Sequence, residues 1–217
     1  MLWLVVAIPL CVAAQLAAIA AFSASIGITV RELSIGLGPT LLRTKRLRIG
    51  ILPIAGHVRL RSIHEEDVPA DERGSTIDGG PVVKQIAVSL VGCSVLIALA
   101  YALVGSRALE AFLKMPVQFV AGALSPLGIA QSLLSESGVF LREAPAMAII
   151  GVVAAKFAAV NLLPFPALNG GAALAALGRA TNVARLWPAK ATSALLAFWL
   201  GLLGLWLFAF TARIGGA

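Results

Sequence analysis

Apolar residues fall along this chain in blocks too long for the elements of a soluble core. Leu2–Ile28, Val82–Val104, Ala144–Leu163 and Pro188–Phe210 run with few polar interruptions. Blocks of about 20 apolar residues have the length of membrane-spanning helices. The pattern therefore predicts four spans, at 2–28, 82–104, 144–163 and 188–210. After the first block the period changes. Leu33–Leu37, Leu41–Thr44, Leu47–Leu52 and Gly56–Leu60 are short, β-compatible and punctuated by glycine and proline. Arg46 and Arg48 alternate with Leu47 and Ile49, the period of a half-exposed strand. This predicts a membrane-associated β-ribbon over 31–60, its basic residues either solvated or set against anionic headgroups. Residues 62–81 are acidic and glycine-containing and read as a flexible, partly disordered linker. Residues 107–142 are apolar but broken by Pro116, Gly122, Pro126, Gly128 and Gly138. They read as one or two amphipathic helices in the outer interface, with a partly re-entrant course left open. The fold class is a membrane all-α bundle of about four helices with one small ribbon.

The third block ends unusually. From Asn161 to Gly171 the chain carries Asn161, Pro164, Pro166, Asn169, Gly170 and Gly171 at what should be membrane depth. Non-helical backbone there is tolerated only where it is buried in protein or lines a cavity. The 161–171 stretch thus predicts a broken third helix beside a site. Pro164 and Pro166 lack N–H groups, so extended backbone with unpaired carbonyls is expected. Such a groove could grip a transmembrane helix or add a strand; the break could equally serve the fold alone.

Composition agrees with a membrane protein: 217 residues, 59% hydrophobic and 12% charged. The net charge of +7 would suggest nucleic acid in a soluble chain. Here the distribution of Lys and Arg explains it, and no nucleic-acid partner is expected. Nine of the 17 lie between Arg31 and Lys84 and three between Arg179 and Lys190, whereas Arg107, Lys114, Arg142 and Arg213 lie on the other side. The positive-inside rule then puts the 31–84 and 164–190 segments in the cytoplasm and both termini outside. Trp3, Trp187 and Trp206 are expected as interface anchors and Trp199 as a packing residue. Cys11 and Cys93 fall inside apolar blocks and read as buried small hydrophobes. The carboxylates of 65–78 lack calcium-loop spacing. Lys156 lies within a span, where an ammonium costs about 2.5–3.5 kcal/mol and belongs on the bundle interior or a cavity, unless it snorkels to the surface.

Asn161-x-x-Pro164-x-Pro166-x-Leu168-Asn169-Gly170-Gly171 resembles the third-helix motif of the site-2 proteases (peptidase M50-like), zinc enzymes that cut within the membrane. Three further stretches are similar to that family in the right order: Gly27–Pro39, Leu52–Leu60 and Ser125–Gln131. The second of these is part of the family's ribbon, which helps hold substrate. The chain has no room for the PDZ domain that many members insert after the second span.

The resemblance implies a metal site on the first span, built from H-E-x-x-H, with two histidines as ligands and the glutamate as general base. Counting back from Gly27 places it at Gln15-Leu16-Ala17-Ala18-Ile19. Both histidines are replaced, by Gln15 and Ile19, and the base by Leu16. The family's aspartate ligand aligns with Asn169, and its G-P-x-x-N on the second span becomes Gly92-Cys93-Ser94-Val95-Leu96. His57 and His64, the two histidines of the chain, lie in the ribbon and linker. This predicts no metal ligands, no zinc cofactor and no catalytic residues. Lys156 is expected either to replace the metal's charge near Gln15 or Asn169, or to snorkel outward. The leading expectation is a pseudoprotease in a bacterial inner membrane that contacts the lipid bilayer and binds other integral membrane proteins, through Lys156, Asn161, Pro164, Pro166, Asn169, Gly170 and Gly171. The alternatives are a zinc metalloprotease with an aberrant or partner-completed metal site, and a small transporter or channel subunit whose polar path uses Lys156 and Asn161.

Overall fold

The computed structural model describes residues 2–181 and 189–215; Trp187 and Pro188 lie outside them. The first apolar block forms α1 (Leu2–Ser25). The ribbon follows as β1 (Val30–Arg43) and β2 (Leu47–Leu60), paired antiparallel. Residues 33–35 of β1 face 56–58 on one edge and 47–49 on the other. The ribbon thus curls back on itself, and this part of β1 has both edges occupied. Gly36 makes the curl possible. Its φ is 94°, and a Cβ there would stand 2.9 Å from the Gly50 carbonyl oxygen.

The 62–81 segment is tied to the ribbon, contrary to the flexible linker its composition predicted. It carries a 3-10 turn (Ala70–Ser75), and Ile77 N–H donates to the Arg61 carbonyl at 2.9 Å. Glu66 pairs with Arg31, Glu65 with Arg59 at 2.9 Å, and Glu72 with Arg61 at 2.6 Å. Three of the acidic residues that suggested solvation, Glu65, Glu66 and Glu72, are partners of arginines in the ribbon or at its end.

Helices complete the chain: α2 (Val82–Val104), α3 (Ser106–Leu124), α4 (Ile129–Glu143), α5 (Ala146–Asn161), α6 (Asn169–Ala180) and α7 (Ala189–Gly215). Among the described residues, three helices (α1, α2 and α7) are long and apolar enough to cross a membrane. The span expected at 144–163 is the 16-residue α5, about 24 Å at 1.5 Å per residue against a hydrocarbon core of about 30 Å. It is short because Pro145 precedes it and the Pro164/Pro166 stretch follows. Helix α5 packs against α1, α2 and α3. Their contact is an alanine- and cysteine-rich core of Cys11, Cys93, Leu96, Ala100, Ala108, Ala154, Ala155 and Ala158. Small side chains let helix backbones approach closely, the usual basis of helix association in lipid.

The 107–142 region also departs from expectation. Helix α3 packs against α2, α5 and α7 instead of lying apart in the interface. Its charged first half (Arg107, Glu110, Lys114) masks an inner face of Ala108, Phe119, Gly122 and Ala123. Helix α7 is seated on α3 and α4 by an aromatic cluster. Trp199 stacks near Phe165 and Phe119, with ring centroids 4.8 and 5.3 Å apart. Trp206, expected at the interface, packs on Phe119 and Gly122 and donates its indole N–H to the Phe119 carbonyl at 2.8 Å. Leu200, Leu207 and Phe208 on α7 and Leu2 and Val5 on α1 are exposed, as on lipid-facing surfaces.

Candidate functional site

Gln15 and Ile19 stand four residues apart on one face of α1, one turn above the other. That face meets α2 at Gly92: a Cβ on Gly92 would lie 2.6 Å from Gln15 Cγ and 3.1 Å from Ile19 Cδ1. The next residue, Cys93, accepts a hydrogen bond at 3.7 Å from the side-chain amide of Asn169, the first residue of α6. The fold therefore brings Gln15, Ile19 and Asn169 together around Gly92-Cys93. Spacing from Gly27 had identified these positions on α1, and the broken-helix motif the one on α6. Cys93 was missed as a participant, because a cysteine in an apolar run reads as core filling.

Each position is filled by packing. Gln15, Leu16 and Ile19 are 5%, 5% and 9% exposed. Ile19 joins Ile28 and Val88 in an apolar cluster that reaches Val58 and Leu60 of the ribbon. Leu16 points to β2, where a Cβ on Gly56 would stand 2.5 Å from Leu16 Cδ1. The ribbon thus lies directly over Leu16, the residue at which the spacing from Gly27 leads the resemblance to expect the general base.

The donor set does not suit zinc. The site offers two amides, two aliphatic side chains and one thiol, whereas zinc takes thiolate, imidazole or carboxylate ligands in sets of three or four. Among the described residues, no three of His, Cys, Asp or Glu gather into a possible metal site. His57 and His64 are both exposed.

The stretch after α5 is a run of turns, not the extended strand its prolines predicted. Leu163 N–H bonds to the Val160 carbonyl at 3.1 Å, Phe165 to Leu163 at 2.8 Å and Leu168 to Phe165 at 2.9 Å. Pro164 and Pro166 are exposed while Phe165 is buried against α7. Gly170 and Gly171 allow α6 to fold back onto these turns. A Cβ on Gly170 would run into the Leu162 carbonyl, and one on Gly171 into that of Phe165. The Asn161 amide donates to the Phe157 carbonyl of its own helix at 2.9 Å. Arg179 ties α6 to α2 through Gln85 at 2.9 Å, a contact that nothing in the local sequence announced.

Lys156 does not take the metal's place. Its ammonium donates to Gln118 Oε1 of α3 at 3.2 Å. It lines a cavity with residues of α3, α4 and α7 that includes neither Gln15 nor Asn169. Nor is Asn161 among the residues lining that cavity, so the two form no shared polar path there.

No curated protein matches the chain. The sequence model of Peptidase family M50 matches residues 20–205, beginning immediately after Ile19. With a match over most of its length, a ribbon after the first helix and a broken third helix, the chain belongs to peptidase family M50, the site-2 proteases.

Proposed function

We propose that this member of the family has lost hydrolysis and kept the frame, and that it binds other integral membrane proteins as a scaffold, assembly subunit or regulator. One observation carries the reading. The residues aligned with the two histidines, the base and the aspartate are packed against Gly92, Cys93 and Gly56, which leaves no donor set for zinc and no base for a water. The partner-facing surface in this reading is made by the exposed Pro164, Pro166 and Ala167 of the turn after α5, with Asn161 and the two glycines shaping the backbone around it. The exposed apolar faces of α1 and α7 contact lipid. We place the chain in a bacterial inner membrane on its alanine-rich composition, and the 31–84 and 164–190 segments in the cytoplasm on the distribution of its Lys and Arg.

Elemental analysis of the purified full chain tests the loss of chemistry. The expected result is zinc far below one ion per chain, with no rise in thermal midpoint on adding zinc. Stoichiometric zinc within the bundle would return the reading to an active protease with a partner-completed site. A photo-crosslinker introduced at Ala167 tests the partner surface. A discrete membrane-protein adduct is expected there and not from Leu207, on α7; equal labelling from both would remove that surface from the proposal.

A further inference from the structure

The cavity lined by Lys156 has a volume of about 410 Å³ and lies between α3, α4, α5 and α7. That is within the usual range for small-molecule pockets, roughly 300–1,000 Å³. Its walls are largely apolar and aromatic, with Phe119, Phe140 and Trp206 among them. Lys156 is its cation. An ammonium carries three donors, and that of Lys156 is met by the neutral amide oxygen of Gln118 at 3.2 Å. Glu136 of α4 lines the same cavity and is exposed, and among the described residues no ion pair within 4.0 Å joins it to Lys156. A cation on an apolar helix packed inside a membrane bundle marks a binding or transport position by default. Here it opens onto apolar walls, with the exposed Glu136 carboxylate beyond ion-pair distance.

We propose that this cavity binds a single-chain amphiphile with an acidic head, the carboxylate or phosphate meeting Lys156 and Gln118 and the chain lying among Phe119, Phe140 and Trp206. Charge and shape both favour that class. A charge-assisted bond satisfies the ammonium, and aromatic and aliphatic walls suit an acyl chain. Glu136 raises the competing arrangement, in which its own carboxylate swings onto Lys156 and no ligand is needed.

Native mass spectrometry of the full chain, released from a zwitterionic detergent, separates the two. Palmitate, palmitoyl lysophosphatidate and hexadecanol are the probes. One equivalent of an acidic probe is expected to be retained, with affinity at least about tenfold above that of the alcohol, the range of one charge-assisted bond. Whichever of palmitate and lysophosphatidate binds more tightly identifies the head. Lys156→Met should abolish the preference and Lys156→Arg should keep it. Glu136→Gln should strengthen retention by removing a like charge, without lowering the thermal midpoint. Equal retention of alcohol and acid, indifference to Lys156→Met, or a Glu136→Gln variant that loses stability as Lys156→Met does would overturn the proposal. Gln118→Leu, which leaves the ammonium in place, serves as a second variant and should weaken acid binding without abolishing it.

Discussion

A methyl group is the smallest test of the broken helix. At Gly170 it would be driven into the Leu162 carbonyl, a backbone atom that cannot swing aside. Gly170→Ala is therefore expected to destabilise the protein by about 3 kcal/mol, the upper end for overpacking. Gly204 on α7 offers the opposite case, with nothing within 4 Å of where an added methyl would sit. There the change to alanine removes backbone freedom and should be neutral or favourable by up to about 1 kcal/mol. Thermal unfolding followed with a thiol-reactive dye measures both. Cys11 and Cys93 are buried and become reactive only when the bundle opens. If the two variants unfold at the same midpoint, the close packing at residues 162–171 is not what holds α6 in place. The same scale shows the limit of reading a sequence. Gly170-Gly171 announces a tight approach, but nothing in it says that the obstacle is the chain's own preceding turn.

Among the elements, α7 is seated by an aromatic cluster and by polar ties to α4, where Gln131 Nε2 donates to the Ala209 carbonyl at 2.8 Å and Arg213 donates to the Gln131 carbonyl at 3.3 Å. Phe165 and Phe119 pack on Trp199, and Phe119 also packs on Trp206. Phe165→Ala is expected to cost about 3–4 kcal/mol and to raise proteolysis within α7 selectively; uniform loss of protection along the chain would argue against a local role. The ribbon and the 62–81 segment are joined by charge instead. The Arg31 guanidinium, hydrogen-bonded to Glu66, holds that carboxyl below its ordinary range. A depressed carboxyl stabilises the fold above its unfolded pKa, about 4.3. That contribution is lost as pH falls through the lower folded value. Protection of the amides across residues 62–78, taken relative to their intrinsic exchange at each pH, should therefore fall below about pH 4, and Glu66→Gln should show weak protection at neutral pH with a flatter profile. Elements differed in how far their sequence revealed them. Long apolar runs mark α1, α2 and α7 because lipid demands length, and Gly/Pro punctuation marks the ribbon. The packing of α3 was hidden because the charges of its first half dominate its average hydropathy. The anchoring of 62–81 was hidden because several of its acidic residues find their arginines in the ribbon, away from their own stretch of chain.

At the scale of the whole molecule, Gln15 and Ile19 of α1, Gly92-Cys93 of α2 and Asn169 of α6 converge. Counting from Gly27 located Gln15 and Ile19, and the motif located Asn169, because register along a helix is fixed by residue number. The direction of Lys156 could not be counted in this way. It depends on how α5 is rotated against α3, which the packing of Ala154, Ala155 and Ala158 decides. The convergence around Gly92-Cys93 carries the last prediction. Leu16→Glu alone places a carboxylate at a buried position against Gly56 and is expected to cost about 2 kcal/mol or more. Combined with Gln15→His, Ile19→His and Asn169→Asp, it gives two imidazoles one turn apart and a carboxylate from α6, a set that suits zinc. The fourfold variant should be less stable than the parent without metal. With zinc, its midpoint should rise with the logarithm of the free concentration, since ligand binding to the folded form stabilises it in that way, while the parent stays unmoved. A folded fourfold variant that ignores zinc would show that the ribbon over Leu16 and the apolar cluster around Ile19 have closed the frame as well as emptied it of ligands.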